Sequence, residues 1–148
     1  MRFLMIWVVC VFIAQAALAS ELVEIRGCKF IPTDWADGDS FCVELPDGQQ
    51  HTVRLYGADC IEWHVTDQTD ARRLREQRRY FGITYYQNSA AESIKLAKEY
   101  GEKAYQRVES ILQQPFTLYT TFADARGDGK YKRIYGFIST ASGQDLSE

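Results

Sequence analysis

The stretch Asp39–Glu62, DSFCVELPDGQQHTVRLYGADCIE, contains two runs of alternating apolar and polar residues, one on each side of a turn. Such alternation is typical of β-strands that bury one face. The turn centres on Asp47-Gly48, a pair that tolerates the positive φ of tight hairpin turns. A two-residue loop at this pair predicts a hairpin in which Asp39 lies opposite Tyr56.

This hairpin would bring together three carboxylates that are distant in sequence. Asp39 begins the first strand, while Asp59 and Glu62 follow the second, so all three would lie at one end of a sheet with Arg54 close by. Clustered carboxylates repel one another unless a hard cation or a basic partner lies among them. The sequence therefore predicts a metal site on a surface that handles phosphate.

The N-terminus has the pattern of a secretory signal. Arg2 is followed by an apolar run, and Ala17-Leu18-Ala19 forms an A-x-A cleavage site. We therefore expect a signal peptide over residues 1–19 and a secreted or periplasmic domain over residues 20–148. An uncleaved membrane anchor is the alternative, although the apolar run is short for a membrane span.

The charge of the chain limits its partners. Loss of Arg2 with the signal would leave 16 Lys and Arg against 20 Asp and Glu, a net charge of −4. A mildly acidic domain is not a general polyanion binder, so contacts with nucleic acid would need local basic patches. The run RRLREQRR at residues 72–79 is such a patch. It is either a solvated helix face or a surface that steers substrate.

Three cysteines would remain after cleavage: Cys28, Cys42 and Cys60. An odd number leaves at least one thiol unpaired, and simple strand register disfavours a bridge between Cys28 and Cys42. None of the three lies in a C-x-x-C pair or beside a histidine, so a structural zinc site is not expected.

The remaining patterns predict one domain with the element order β-β-β-α-β-β. Apolar residues recur at helical spacing from Ser89 to Leu112, which predicts a helix after the third strand, with Gly101 either dividing it into two helices or only weakening it. Strands are expected over residues 22–30, 41–45, 52–56, 116–122 and 131–139. This order favours a β-rich α+β fold, a small five-stranded closed barrel of the OB type.

At this level of detail the chain resembles the staphylococcal nuclease-like (thermonuclease) family. Residues 37–40, DGDS, resemble the family's D-G-D-T, and residues 54–62, RLYGADCIE, resemble R-L-x-G-I-D-A/T-P-E. Residues 100–104, YGEKA, and 130–133, KYKR, resemble the helix start and the D/K-Y-G-R block. The blocks occur in the family's order and together span most of residues 22–140.

The resemblance implies an exported Ca²⁺-dependent endonuclease, a hydrolase that cleaves phosphodiester bonds of DNA and, as a second substrate, RNA. The calcium ligands correspond to Asp39, Asp59 and the backbone carbonyl of Cys60, which are the hard oxygen donors that calcium prefers. No stable protein partner is implied, and no membrane contact after signal cleavage. A non-catalytic OB-type module that binds nucleic acid is the alternative.

The resemblance also implies roles for five further residues. Glu62 corresponds to the carboxylate that orients or deprotonates the attacking water. Arg54 and Arg133 correspond to the arginines that bind the phosphate through two oxygens at once. Lys130 and Tyr131 correspond to residues near the terminal phosphate of a bound nucleotide.

Several positions depart from the family pattern. Cys60-Ile61 replace a small residue and a proline, and Lys132 replaces the glycine before the second arginine. The segment between Glu62 and the predicted helix is longer and more basic than in the simplest members. The family continues after the last barrel strand with further helices, whereas this sequence ends at Glu148. We therefore expect a C-terminally incomplete domain without those helices.

Overall fold

The computed structural model describes residues 21–125 and 132–148. The expected signal peptide and two of the expected substrate-binding residues, Lys130 and Tyr131, lie outside the described residues. The described residues form five strands, two α-helices and a short 3-10 turn at Tyr86–Asn88. In chain order the strands and α-helices are β1 (Val23–Ile31), β2 (Ser40–Glu44), β3 (Gln50–Leu55), α1 (Gln68–Tyr80), α2 (Ala90–Ile111), β4 (Phe116–Thr120) and β5 (Arg133–Ser139).

The strands form one mixed sheet that closes into a ring in the order β1-β2-β3-β5-β4. Every neighbouring pair is antiparallel except β3 and β5, which are parallel. The predicted β-rich α+β class, its five strands and its helix from about Ser89 to Leu112 are confirmed. The hydrophobic core includes Phe41, Val43, Val53 and Leu118, all completely buried.

The β2–β3 hairpin has a three-residue loop, so the expected two-residue loop is wrong. The N–H of Gly48 donates to the carbonyl of Leu45, and the N–H of Leu45 donates to the carbonyl of Gln49. Pro46 fixes its own φ at a value that suits the first corner of a type I turn. Gly48, with a φ of +84°, then completes the loop in the left-handed region.

The longer loop shifts the register of the two strands by one residue. Phe41 pairs with Val53, and the expected pairing of Asp39 with Tyr56 is therefore wrong. Side chains alternate between the two faces of a strand, so a shift of one residue moves every side chain to the other face. The observed register puts the buried Phe41 and Val53 on the same face, whereas the expected register would have put them on opposite faces. As a result, Arg54 lies opposite Ser40, the residue that directly follows Asp39.

The segment between β3 and α2 contains a second helix, α1, that was not expected as a separate element. The side chain of Asp67 caps its N-terminus, as N-cap aspartates commonly do. Leu74 is its only buried apolar residue, and Arg78 is also buried, with its Nε donating to Ser93 Oγ over 2.7 Å. The basic run is therefore more than a solvated helix face, because part of it packs inside the protein.

Gly101 allows α2 to approach the segment that contains Glu62. The helix is continuous through this glycine. A Cβ atom at Gly101 would collide with the backbone carbonyl of Ile61 and lie 3.0 Å from the Cβ of Trp63. A side chain at this position would therefore push residues 61–63 away from the helix.

Gly101→Ala should destabilise the protein by about 1–3 kcal/mol, the usual effect of overpacking a tight contact. At an open helical position the same change is stabilising by about 1 kcal/mol, so the sign of the effect is diagnostic. Urea denaturation measures it, with Glu99→Ala at an exposed position of α2 as the control. A more stable Gly101→Ala protein would contradict the close approach.

Two further properties of the described residues concern the helices and the cysteines. Among them, neither helix combines the length and apolar content needed to cross a bilayer. Cys28, Cys42 and Cys60 all have free thiols. The β1–β2 register puts Ile31 opposite Cys42.

Candidate active site

The structure brings five of the predicted site residues together at one end of the ring. Asp39 directly precedes β2, and Arg54 is the penultimate residue of β3. The other members lie in the segment that follows β3, which turns back across the end of the sheet. The cluster consists of Asp39, Arg54, Asp59, Cys60 and Glu62, linked by the contacts described below.

Arg54 joins two carboxylates of the cluster. Its Nη1 lies 3.0 Å from Asp39 Oδ1, and its Nη2 lies 2.9 Å from Asp59 Oδ1. Asp39 is 1% exposed, whereas the side chain of Asp59 is 62% exposed. The second oxygen of Asp39 accepts the N–H of Cys60 over 2.6 Å. Asp39 is thus a buried charge whose two oxygens both have partners.

Glu62 is the second buried carboxylate, with 6% of its surface exposed. Arg73 Nη1 lies 2.5 Å from its Oε1, in an ion pair that does not have the geometry of a hydrogen bond. Burial raises the pKa of Glu62, and the positive charge of Arg73 opposes that rise. Glu62 therefore forms a close ion pair with Arg73 inside a largely dehydrated site, and its Oε1 is closed to solvent.

Two site residues come from α1 and were missed in the sequence. Arg73 contacts Glu62 and also lies 3.7 Å from Asp59 Oδ1 through its Nη2. Gln77 donates from Nε2 to the carbonyl of Cys60 over 2.7 Å and accepts the N–H of Glu62 over 2.8 Å. Their i, i+4 spacing puts them on one side of the helix. The spacing was visible in the basic run, but nothing there indicated which side faces the carboxylates.

The fit of calcium can be judged from these contacts. Two guanidinium groups face an excess of carboxylates, and aspartate oxygens are ligands that calcium prefers. In the described conformation, however, Arg54 bridges Asp39 and Asp59, and the Cys60 carbonyl accepts a hydrogen bond. The described residues contain no group of three or more His, Cys, Asp or Glu arranged to hold a metal ion. The donors fit calcium in type and charge, and binding would require Arg54 to leave its carboxylate partners.

Asp37 supports the cluster from the turn before β2. Its Oδ1 accepts the N–H of Asp39 over 3.0 Å and that of Ser40 over 2.6 Å. Burial and the neighbouring charge of Asp39 raise the pKa of Asp37 to about 7. The turn therefore holds a carboxyl group that is costly to ionise.

Stability should consequently fall as the pH rises from about 4 to about 7, and level off above that range. Stability falls because the pKa of Asp37 is higher in the folded state than in the unfolded state. Between these two values the folded state binds more protons, so raising the pH favours unfolding. Asp37→Asn keeps the acceptor oxygen without the charge. Because Asp37 retains some contact with solvent, we expect a gain of about 2 kcal/mol at pH 8.

Urea denaturation across this pH range tests the expectation. The Asp37→Asn protein should show a flatter pH dependence than the wild type. Asp34→Asn, at an exposed position of the same loop, is the control. An unchanged slope in Asp37→Asn would show that another group causes the pH dependence.

Arg133 is not brought into the cluster. It begins β5 opposite Thr52, on the same sheet face as Arg54 but two residues further along. Strand spacing and rise put the two arginine backbones about 8 Å apart. Among the described residues its side chain has no hydrogen bond or ion pair.

Comparisons with known proteins add no assignment. No protein-family model matches the chain, and no curated protein matches it significantly. The chemistry of the cluster must therefore be argued from its own contacts.

Proposed function

We propose that this protein is an exported Ca²⁺-dependent nuclease of the staphylococcal nuclease-like kind, with a barrel of the OB type. Its substrate would be DNA, with RNA as the second. The observation that carries the proposal is the buried Glu62, whose Oε1 is paired with Arg73 in the same cluster as the guanidinium group of Arg54. Export is proposed from the signal-like residues 1–19.

Glu62 is suited to activate water. A general base needs an accessible acceptor atom within hydrogen-bond reach of the proton that it removes. Oε1 accepts no hydrogen bond in the described conformation, and a water would reach it once Arg73 turns from Glu62 to the substrate phosphate. Gln77 holds the backbone of Glu62, so the carboxylate stays in position while a proton moves to it.

Arg54 and Arg73 are suited to bind the phosphate. Both direct an Nη2 atom at the same oxygen, Asp59 Oδ1, at 2.9 and 3.7 Å. Two planar guanidinium groups that converge on one exposed anionic oxygen could equally hold the oxygens of a phosphodiester. Calcium, held by Asp39, Asp59 and the Cys60 carbonyl, would supply further positive charge to stabilise the negative charge on those oxygens.

The outer face of the sheet beside Arg54 supports a nucleic-acid substrate. Tyr135 pairs with Arg54 across β3 and β5. The ring of Tyr56 lies 5.8 Å from that of Tyr135 and 5.1 Å from that of Phe137. Tyr56 is 56% exposed. Exposed aromatic rings next to arginines are typical of surfaces on which unpaired bases stack.

A binding module without catalytic activity is the second candidate, and a specific observation favours it. Both oxygens of Asp39 are already engaged, and the Cys60 carbonyl accepts a hydrogen bond from Gln77. A protein that keeps these contacts during binding would hold nucleic acid through its arginines and aromatic rings without cleaving it.

One experiment separates the two candidates. The purified protein is incubated with single-stranded DNA, and in parallel with RNA, in calcium and in chelator. Circular dichroism checks the fold, and Glu62→Gln serves as the isosteric control. Cleavage by the wild type in calcium alone would support the nuclease. Binding without cleavage by the folded wild type would support the binding module.

A further inference from the structure

A pocket of about 460 Å³ opens beside the catalytic cluster, on the side where α1 and α2 meet. Phe81 and Ile83 line it from the segment after α1, Tyr100 and Ala104 line it from α2, and residues 59–61 form its third wall. Because Asp59 and Cys60 belong to both the wall and the cluster, the pocket is continuous with the proposed phosphate site. We call it the α1–α2 pocket.

The α1–α2 pocket offers aromatic surface at its mouth. Phe81 is 49% exposed and Tyr100 is 51% exposed. Lys103 Nζ lies 5.6 Å from the centre of the Tyr100 ring, so a cation stands at the same rim. Most of the remaining lining is aliphatic, provided by Ile61, Ile83 and Ala104. This combination suits a flat ligand that is apolar on its faces and attached to an anion.

Positive charge beside the α1–α2 pocket complements such a ligand. Arg73 lies 3.7 Å from Asp59, which lines the pocket, and Lys103 stands at its rim. The exposed Arg72, Arg75 and Arg79 lie on the other side of α1 and are not part of this surface. An apolar peptide would gain nothing from the charges at the pocket. A strand with phosphates on one side and bases on the other uses both the charges and the aromatic rings.

We propose that the α1–α2 pocket binds one unpaired base of a single-stranded nucleic acid while Lys103, at the rim of the pocket, binds a neighbouring phosphate. The scissile phosphate would lie at the Asp59 end, and in this respect the inference rests on the proposed function. A base stacked within a duplex cannot enter the pocket, so the protein should prefer single strands to duplexes.

Binding tests the inference without cleavage. Fluorescence anisotropy in chelator follows a labelled oligothymidylate of about ten nucleotides, a length within the usual range for single-strand sites. Tyr100→Ala should raise the Kd about 10-fold, as expected for a lost base–aromatic stack. Tyr100→Phe, which keeps the ring, should bind like the wild type. Tyr85→Ala, at a tyrosine that is 82% exposed and does not line the pocket, is the matched control.

Oligonucleotides with a single abasic position provide the second arm. Removing one particular base should weaken wild-type binding as much as Tyr100→Ala does, and should add nothing in the Tyr100→Ala protein. Wild-type affinity in a folded Tyr100→Ala protein would overturn the inference. The inference would also be overturned if both proteins were equally sensitive to every abasic position. The occupant of the pocket would then be an apolar peptide or another ligand.

The two proposals fail separately. A wild type that shows this base dependence yet cleaves nothing in calcium would remove the nuclease and leave the base site standing. Cleavage in calcium with binding that ignores Tyr100 would do the reverse.

Discussion

Arg54→Met should lower the free energy of unfolding by about 3–5 kcal/mol, the usual effect of removing one partner of a buried ion pair. Asp39 is 1% exposed and would lose its guanidinium partner, whose own side chain is 15% exposed. Urea denaturation at neutral pH measures the loss. Arg26→Met is the control, because Arg26 pairs with Glu24 at the surface and such pairs contribute about 1 kcal/mol or less.

A second substitution separates the charge effect from lost packing. Asp39→Asn in the Arg54→Met background removes the unpaired carboxylate and should restore much of the stability. Such non-additive effects are expected for residues in direct contact. Additive losses in the double variant would show that packing of the long Arg54 side chain dominates.

The same variant tests the calcium site without relying on activity. If calcium must displace Arg54 from Asp39 and Asp59, the Arg54→Met protein should gain more stability from added calcium than the wild type does. Thermal unfolding in calcium and in chelator gives the comparison. The absence of any calcium effect on either protein would argue against these residues as ligands.

Glu62→Gln should reduce single-turnover cleavage by about 10²- to 10⁴-fold, the usual contribution of a general base, while nucleotide binding changes little. The amide keeps the size of the side chain and cannot take up the proton. Stability should fall by only about 1 kcal/mol, because the amide still contacts Arg73 and Arg73 is partly exposed to solvent. Glu102→Gln, at an exposed position of α2, is the control.

Binding and cleavage must be measured on the same samples for this prediction to be useful. Equal losses in both would contradict a role in activating water and would make Glu62 a binding residue. Undiminished cleavage by the Glu62→Gln protein would show that another residue is the general base. Arg54→Lys provides a further comparison, since a point charge cannot replace a guanidinium that binds two oxygens.

Local patterns were sufficient for most of the strands and for α2. Alternation of apolar residues depends only on neighbours along the chain, so β2 and β3 could be found directly. The same patterns could not find α1, because Leu74 is its only buried apolar residue. Polar contacts from Arg73, Gln77 and Arg78 attach that helix to the rest of the protein.

The register of the β2–β3 hairpin depends on the turn residues and on the strand pattern together. Asp47-Gly48 alone suggested a two-residue loop, although Pro46 before it favours a type I turn with one more residue. The alternation of Phe41 and Val53 already required both side chains to face the same side of the sheet. Both the turn residues and the strand pattern limit which register is possible, and the strand pattern limits it more strongly.

The sequence by itself determined that three of the charged groups meet at the end of the sheet. A short hairpin must bring the residue before its first strand close to the residues after its second, so Asp39, Arg54 and Asp59 become neighbours whatever surrounds them. Only the tertiary structure decided that Arg73 and Gln77 complete the cluster. Their placement depends on which side of α1 packs against the 59–62 segment, and that choice follows from contacts between distant residues that no local pattern encodes.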